Sequence, residues 1–293
     1  NEAGEGTNWI EEITRVGSIQ QHQVGLSGGF GGFRYFVSGN YFLHNGIVER
    51  SSLERFSTRA NLDYTKKKWK VTGNVQLFGG LFNNTRLWSP LLNVRQDNGE
   101  FSIHPTRDQI PNPVSLLNIQ DNTETNRALV NFSTEYNILS GLSAKINLGL
   151  DRSSSRREAL IPTSVIRGEQ ANGEGEIGNA NNTNVLAEFT LNYQKSFNNG
   201  NQLTAVLGNT FQQFDYEGDN LLFIDFADQT TDFEKITNAD TIFNPKFKER
   251  SRLLSMLARV NYSINDKYLI TASFRADGST RFGLNNKAGF FPS

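Results

Sequence analysis

The chain has 293 residues, and 29 basic against 30 acidic side chains leave a formal net charge of −1, which gives no electrostatic footing for nucleic acid. Apolar residues make up 37%, mean hydropathy is −0.49, and no run approaches the roughly 18 consecutive apolar residues of a transmembrane helix. There is no cysteine, so disulfide frameworks and thiolate metal sites are both excluded.

Period-two alternation predicts ten strands, near 18–29, 33–44, 53–65, 69–79, 126–138, 142–151, 184–197, 203–217, 250–263 and 267–277. Their connections alternate in length. Gly29–Gly32, Lys66–Lys68, Leu139–Gly141, Asn198–Gln202 and Ile264–Asp266 are tight, whereas Asn45–Ser52, Gly80–Thr125, Arg152–Thr183 and Gly218–Glu249 are long, with a further long one from Gly278 onward. In an antiparallel meander this trims one rim and elaborates the other. The expected domains are therefore a loop segment over 1–17, an all-β partial barrel over 18–277, and a loop over 278–293 that leads into a truncated next strand.

The predicted faces are chemically distinct. In the sixth segment Leu142, Ala144, Ile146, Leu148 and Leu150 share one face, opposite Ser143, Lys145, Asn147, Gly149 and Asp151. The third, fifth and tenth segments repeat the pattern, with Leu129 and Leu269 as apolar exceptions on the polar face. The segments reach or exceed the roughly 9–11 residues that cross a bilayer as a tilted strand, and Tyr64, Trp69, Tyr136, Tyr193, Tyr262 and Tyr268 gather near segment ends as an interfacial girdle would. Apolar-out, polar-in alternation with one short and one long rim is the signature of an outer-membrane β-barrel.

A resemblance rests on particular residues. Gly6-Thr7-Asn8-Trp9-Ile10, Arg34-Tyr35-Phe36-Val37-Ser38-Gly39-Asn40-Tyr41, Asn112-Pro113-Val114-Ser115-Leu116-Leu117 and, above all, Tyr268-Leu269-Ile270-Thr271-Ala272-Ser273-Phe274-Arg275-Ala276-Asp277-Gly278-Ser279-Thr280-Arg281-Phe282-Gly283 follow one another in order. The sequence resembles the early barrel of the SusC/RagA-type TonB-dependent outer-membrane transporters. Leu284 and Ala288 depart from the family pattern, which has proline and an aromatic there. The resemblance implies a 22-stranded parent barrel in the bacterial outer membrane, a plug in its lumen, energy from the TonB complex, and a SusD-like surface lipoprotein that delivers a glycan or peptide. It implies no enzyme activity and no cofactor. The loop aromatics Trp88 and Phe101 are the candidate substrate contacts, because aromatic faces stack on sugars and cover apolar side chains.

Catalytic and metal patterns are weaker. Gly25-Leu26-Ser27-Gly28-Gly29 fits a nucleophile elbow but reads as a glycine-rich turn with no helix after it. Gly173–Gly178 fits G-x-G-x-x-G, yet with polar Asn179–Asn184 following it is expected to be a flexible loop. His22, His44 and His104 lack metal-ligand spacing, and Asp219, Asp225, Asp228, Asp232 and Asp240 are expected in a solvated loop. Two rival readings are a self-contained ten-stranded barrel enzyme, closed by pairing of the first and tenth strands, and a secreted carbohydrate-binding β-sandwich.

Overall fold

The computed structural model describes residues 8–85, 113–226, 239–265, 267–283 and 287–293. Within them the chain forms one antiparallel sheet of twelve strands: β1 Ser18–Phe30, β2 Phe33–Asn45, β3 Ser52–Lys66, β4 Trp69–Asn83, β5 Gln120–Leu139, β6 Leu142–Ile161, β7 Glu174–Ser196, β8 Gln202–Phe226, β9 Ala239–Phe243, β10 Lys246–Ile264, β11 Tyr268–Ser279 and β12 Ala288–Pro292. Neighbours in sequence are neighbours in space, except that β9 is a short strip on β8 and β10 takes the next place in the main path. All ten predicted strands are present, and β12 is the next strand expected after Gly278. β9 was not expected.

The sheet is open. β1 pairs only with β2, and β11 pairs with β10 and β12, so no ladder joins the first and tenth predicted strands among the described residues. That overturns the self-contained ten-stranded barrel. The sandwich fails as well, since every described strand lies in a single sheet.

The tight turns follow from local chemistry. Gly31 and Gly32 both take positive φ (55° and 89°), the geometry whose twist matches a two-residue hairpin. Gly141 is at φ 81°, and a Cβ there would lie 2.1 Å from the carbonyl oxygen of Gln194 on the neighbouring strand. Its own carbonyl accepts the Gln194 N–H at 2.7 Å, which extends the ladder across the turn.

Strand faces carry the predicted alternation with burial inverted relative to a water-soluble protein. Val75, Val130, Leu150 and Val185 lie side by side across β4–β7, each 36–40% exposed. Ile146 and Leu148 are exposed too, while the intervening Asn147, Gly149 and Asp151 are half-buried. The polar face is thus the crowded one, as on the inside of a curved wall. Near the turn end, outward Trp69 packs on Tyr136 with ring centroids 4.5 Å apart; nearer the loop end Tyr41 packs on Phe56 at 4.7 Å.

Strand length is where expectation and structure part. β5 to β8 run 20, 20, 23 and 25 residues, against 13 to 15 for β1 to β4. Residues 173–184, expected as a flexible loop, instead belong to β7 from Glu174 on, laddered to β6 up to Ile161↔Glu174 and to β8 up to Glu174↔Ile224. Asp219 and Asp225 likewise lie within β8 rather than in a loop, and Asp240 lies in β9. The reason is physical. From Arg152 to Glu158 both faces of β6 carry polar side chains that are exposed or half-buried, so the apolar alternation stops while backbone pairing continues. Gly25–Gly29 also lies inside a strand, β1, one step short of its turn.

Two small cores cap the loop end, one on each face. Leu160, Phe223 and Phe226 form the outer core, and Leu116, Ile161 and Val165 the inner. The inner one draws on short helices α2 (Pro113–Leu116) and the segment leading into α3 (Ile166–Gln170). A first helix, α1 (Trp9–Ile13), sits at the same end, where the Arg15 guanidinium donates to the carbonyls of Gly46 and Ser51 at 3.1 and 2.9 Å.

Candidate functional site: the inner wall

The inward positions of β3 to β7 line a concave hollow that includes Arg59, Gln76, Leu129, Asn131, Asp151 and Leu186. A hollow shared by five consecutive strands requires the sheet to curve toward this face. Leu129, the apolar exception of the fifth segment, faces into it with Leu186 at its floor.

In and beside the hollow several polar side chains bond one another across strands. Asn131 Nδ2 donates to Asn147 Oδ1 at 2.9 Å, Asn147 Nδ2 donates to Glu188 Oε2 at 2.9 Å, and Arg59 Nη2 donates to Gln76 Oε1 at 3.1 Å. Arg127 clamps Asp151 through two bonds of 2.7 and 2.6 Å. Such cross-strand pairs restrict the rotamers that long polar side chains would otherwise sample, and leave a polar wall.

Above the hollow, toward the loop end, a tighter network locks β5, β6 and β7. Arg157 donates twice to Asp121 (2.8 and 2.8 Å) and once to Glu176 (2.9 Å). The Asp121 side chain is 2% exposed, so its carboxylate depends on that partner. The Asp121 hydrogen bonds, seconded by the neighbouring Glu176 charge, hold the Arg157 guanidinium pKa above its ordinary value. Arg167 and Glu174 form a second ion pair beside it.

At the same height on the other flank, Phe214 and Tyr216 of β8 and Phe247 of β10 point inward. Tyr216 and Phe247 stack with centroids 5.2 Å apart. Sequence reading missed this cluster. The signal was present, since Thr210, Gln212, Phe214 and Tyr216 share the polar phase of β8, and two aromatics in that phase mark a change of use. The predicted contacts Trp88 and Phe101 lie outside the described residues.

The comparisons with known proteins bear on this wall as a whole. No family model matches the chain. It is 31% identical over 98% of its length to TonB-dependent receptor P3 of Formosa agariphila, and 23% identical over 98% to TonB-dependent receptor SusC of Bacteroides thetaiotaomicron. A chain in the structure of the RagAB peptide transporter superposes with a TM-score of 0.82 over 98% of this chain, at 19% identity. Nearly the whole chain is thus similar to one section of the SusC/RagA-type TonB-dependent receptors. It spans about a third of the length of these relatives, 31% and 32% of the two receptors and 35% of the RagAB chain. As part of a large β-barrel in the bacterial outer membrane, its alternating faces acquire their setting. The apolar outward rows are the transmembrane surface, and the Asn131–Asn147–Glu188 ladder with the hollow beside it is lumen wall.

Proposed function

We propose that this chain is a section of the wall of an outer-membrane importer, through which a glycan or a peptide passes with energy delivered by TonB. A SusD-like lipoprotein hands the cargo over at the loop end, which faces the outside of the cell; the tight turns face the periplasm. The observation that carries this reading is the inner wall itself, a largely polar surface spanning five strands whose side chains bond one another across strands, which offers passage rather than bond chemistry. The relatives are named as receptors, and the RagAB structure is described as a peptide transporter, which favours import over catalysis. Trp88 and Phe101 remain the proposed loop contacts to cargo.

The test is genetic. Deleting the gene for the full-length protein should abolish growth on at least one polysaccharide or protein offered as sole carbon source, and restoring it should restore growth. Affinity purification of the tagged full-length protein from envelopes should bring down a surface lipoprotein. A deletion strain that grows normally on every such nutrient would overturn the import reading.

A further inference from the structure

The alternation that governs the wall breaks at one place. At the loop end of β8 and β10 the inward residues Phe214, Tyr216 and Phe247 are aromatic, while the outward residues between and beside them are polar or charged, among them Gln213, Asp215, Lys248 and Arg250. These rings are not part of a core. Phe214, Tyr216 and Phe247 are 39%, 40% and 40% exposed, whereas Leu160 and Phe226 in the nearby outer core are 1% and 2% exposed.

The wall is shaped to hold the rings. Phe247 stands directly across from Gly218, where a Cβ would come within 2.7 Å of its ring carbons, so the ring lies against bare backbone. Tyr216 stacks on it at an interplanar angle of 24°. The Arg281 guanidinium stands 5.9 Å from the Phe214 ring centre, with Glu249 3.7 Å from the same arginine. Directly across from Tyr216 is Asn182, and among the described residues neither the Asn182 amide nor the Tyr216 hydroxyl has a hydrogen-bond partner.

Exposed ring faces with unpaired amide and hydroxyl groups at their edge suit a particular ligand. The C–H face of a pyranose packs on an aromatic ring, and its equatorial hydroxyls, each both donor and acceptor, reach groups at the rim. An extended peptide is the poorer fit. It gains affinity by adding to a free strand edge, and here β7, β8 and β10 are laddered to neighbours, with β8 and β10 paired as far as Lys246↔Asp219. The local charges, Arg281 with Glu249, Arg250 with Asp215 and Lys248 with Glu217, are already matched, so the site selects no ionic cargo.

We propose that Phe214, Tyr216 and Phe247, with Asn182 at their edge, form a stacking subsite for a neutral sugar unit of an oligosaccharide on the inner wall. This rests on the import reading and narrows its cargo from glycan or peptide to glycan. The test uses the full-length protein in its native strain. The gene is replaced by versions carrying Tyr216→Ala with Phe247→Ala, Phe247→Trp alone, or the outward-facing Phe189→Ala as control, with surface levels matched by quantitative blotting. The probe is a fluorescently labelled neutral oligosaccharide prepared from whichever polysaccharide requires the gene for growth. At sub-saturating probe the double variant should take up about tenfold less, corresponding to the loss of roughly 1.4 kcal/mol of stacking, while Phe247→Trp and Phe189→Ala stay near wild type. Uptake by the double variant equal to wild type would overturn the subsite and leave the importer standing. So would a requirement for the gene on protein nutrients alone. No growth requirement on any nutrient would remove the importer, and the subsite with it.

Discussion

Single residues on this wall are read by which way they point. Ile146 and Leu148 face outward at 44% and 45% exposure, and Asn147 between them faces the lumen, bonded to Glu188. Replacing either apolar residue with arginine should cost about 2–4 kcal/mol near the bilayer midplane, whereas Asn147→Arg should cost much less. Equilibrium folding of the full-length protein into lipid vesicles would measure it, and equal losses at all three positions would contradict the facing. Arg157 makes a different kind of prediction. Arg157→Met leaves the Asp121 carboxylate, 2% exposed, without its guanidinium, and removal of one partner from such a pair costs about 3 kcal/mol. The loss should be local, seen as faster hydrogen exchange in 113–121 and 162–174 while the membrane-crossing ladders stay protected. Uniform acceleration across the sheet would show that the network holds more than the loop end.

At the scale of elements, turns and strands were legible to different degrees. The tight turns could be placed from sequence because glycine and short polar residues are needed wherever φ turns positive, as at Gly31, Gly32 and Gly141. Strand existence was legible from alternation, but strand ends at the loop side were not. Glu174–Asn184 carries no apolar rhythm, and its membership in β7 is fixed by partners on β6 and β8 that no local pattern announces. β9 is five residues long and depends wholly on pairing to β8. The inner wall was legible as a polar face; its aromatic break at Tyr216 and Phe247 was not, because it needs cross-strand register to bring the two rings together. Two turn glycines allow a paired test. Gly31 has open space around a notional Cβ and a φ of 55° that asparagine tolerates, so Gly31→Asn should shift stability by less than about 1 kcal/mol. Gly141→Ala meets the Gln194 carbonyl at 2.1 Å as well as the wrong φ, and should cost more than about 2 kcal/mol in the same vesicle-folding measurement. Similar costs at both would mean that the hairpin ends are not held as described.

For the whole molecule, orientation and edge are the testable quantities. The chain has no cysteine, so Gln170→Cys in the β6–β7 connection and Lys67→Cys in the β3–β4 turn provide single thiols in this region of the full-length protein. A membrane-impermeant maleimide should label the first on intact cells and the second only after the outer membrane is opened. The reverse order would invert the assignment. Residues 1–293 expressed alone should fail to give a stable monomer in either water or detergent micelles, because β1 has one unpaired edge and the outward apolar rows have no lipid. A heat-resistant monomer in detergent would contradict that.

The strands also make a wall of unequal height. Tight turns level them at one rim, yet β8 is 25 residues long where β1 is 13. At about 3.3 Å per residue and a tilt near 40°, the tall flank rises roughly 30 Å above the low one. As far as the strands alone set it, approach from the side is directional: a solute drifting in over β1 to β4 meets a short threshold, and one arriving over β7 and β8 meets a parapet. Capture at the rim would then depend on compass bearing as well as distance, and the proposed sugar subsite stands on the inner side of that parapet.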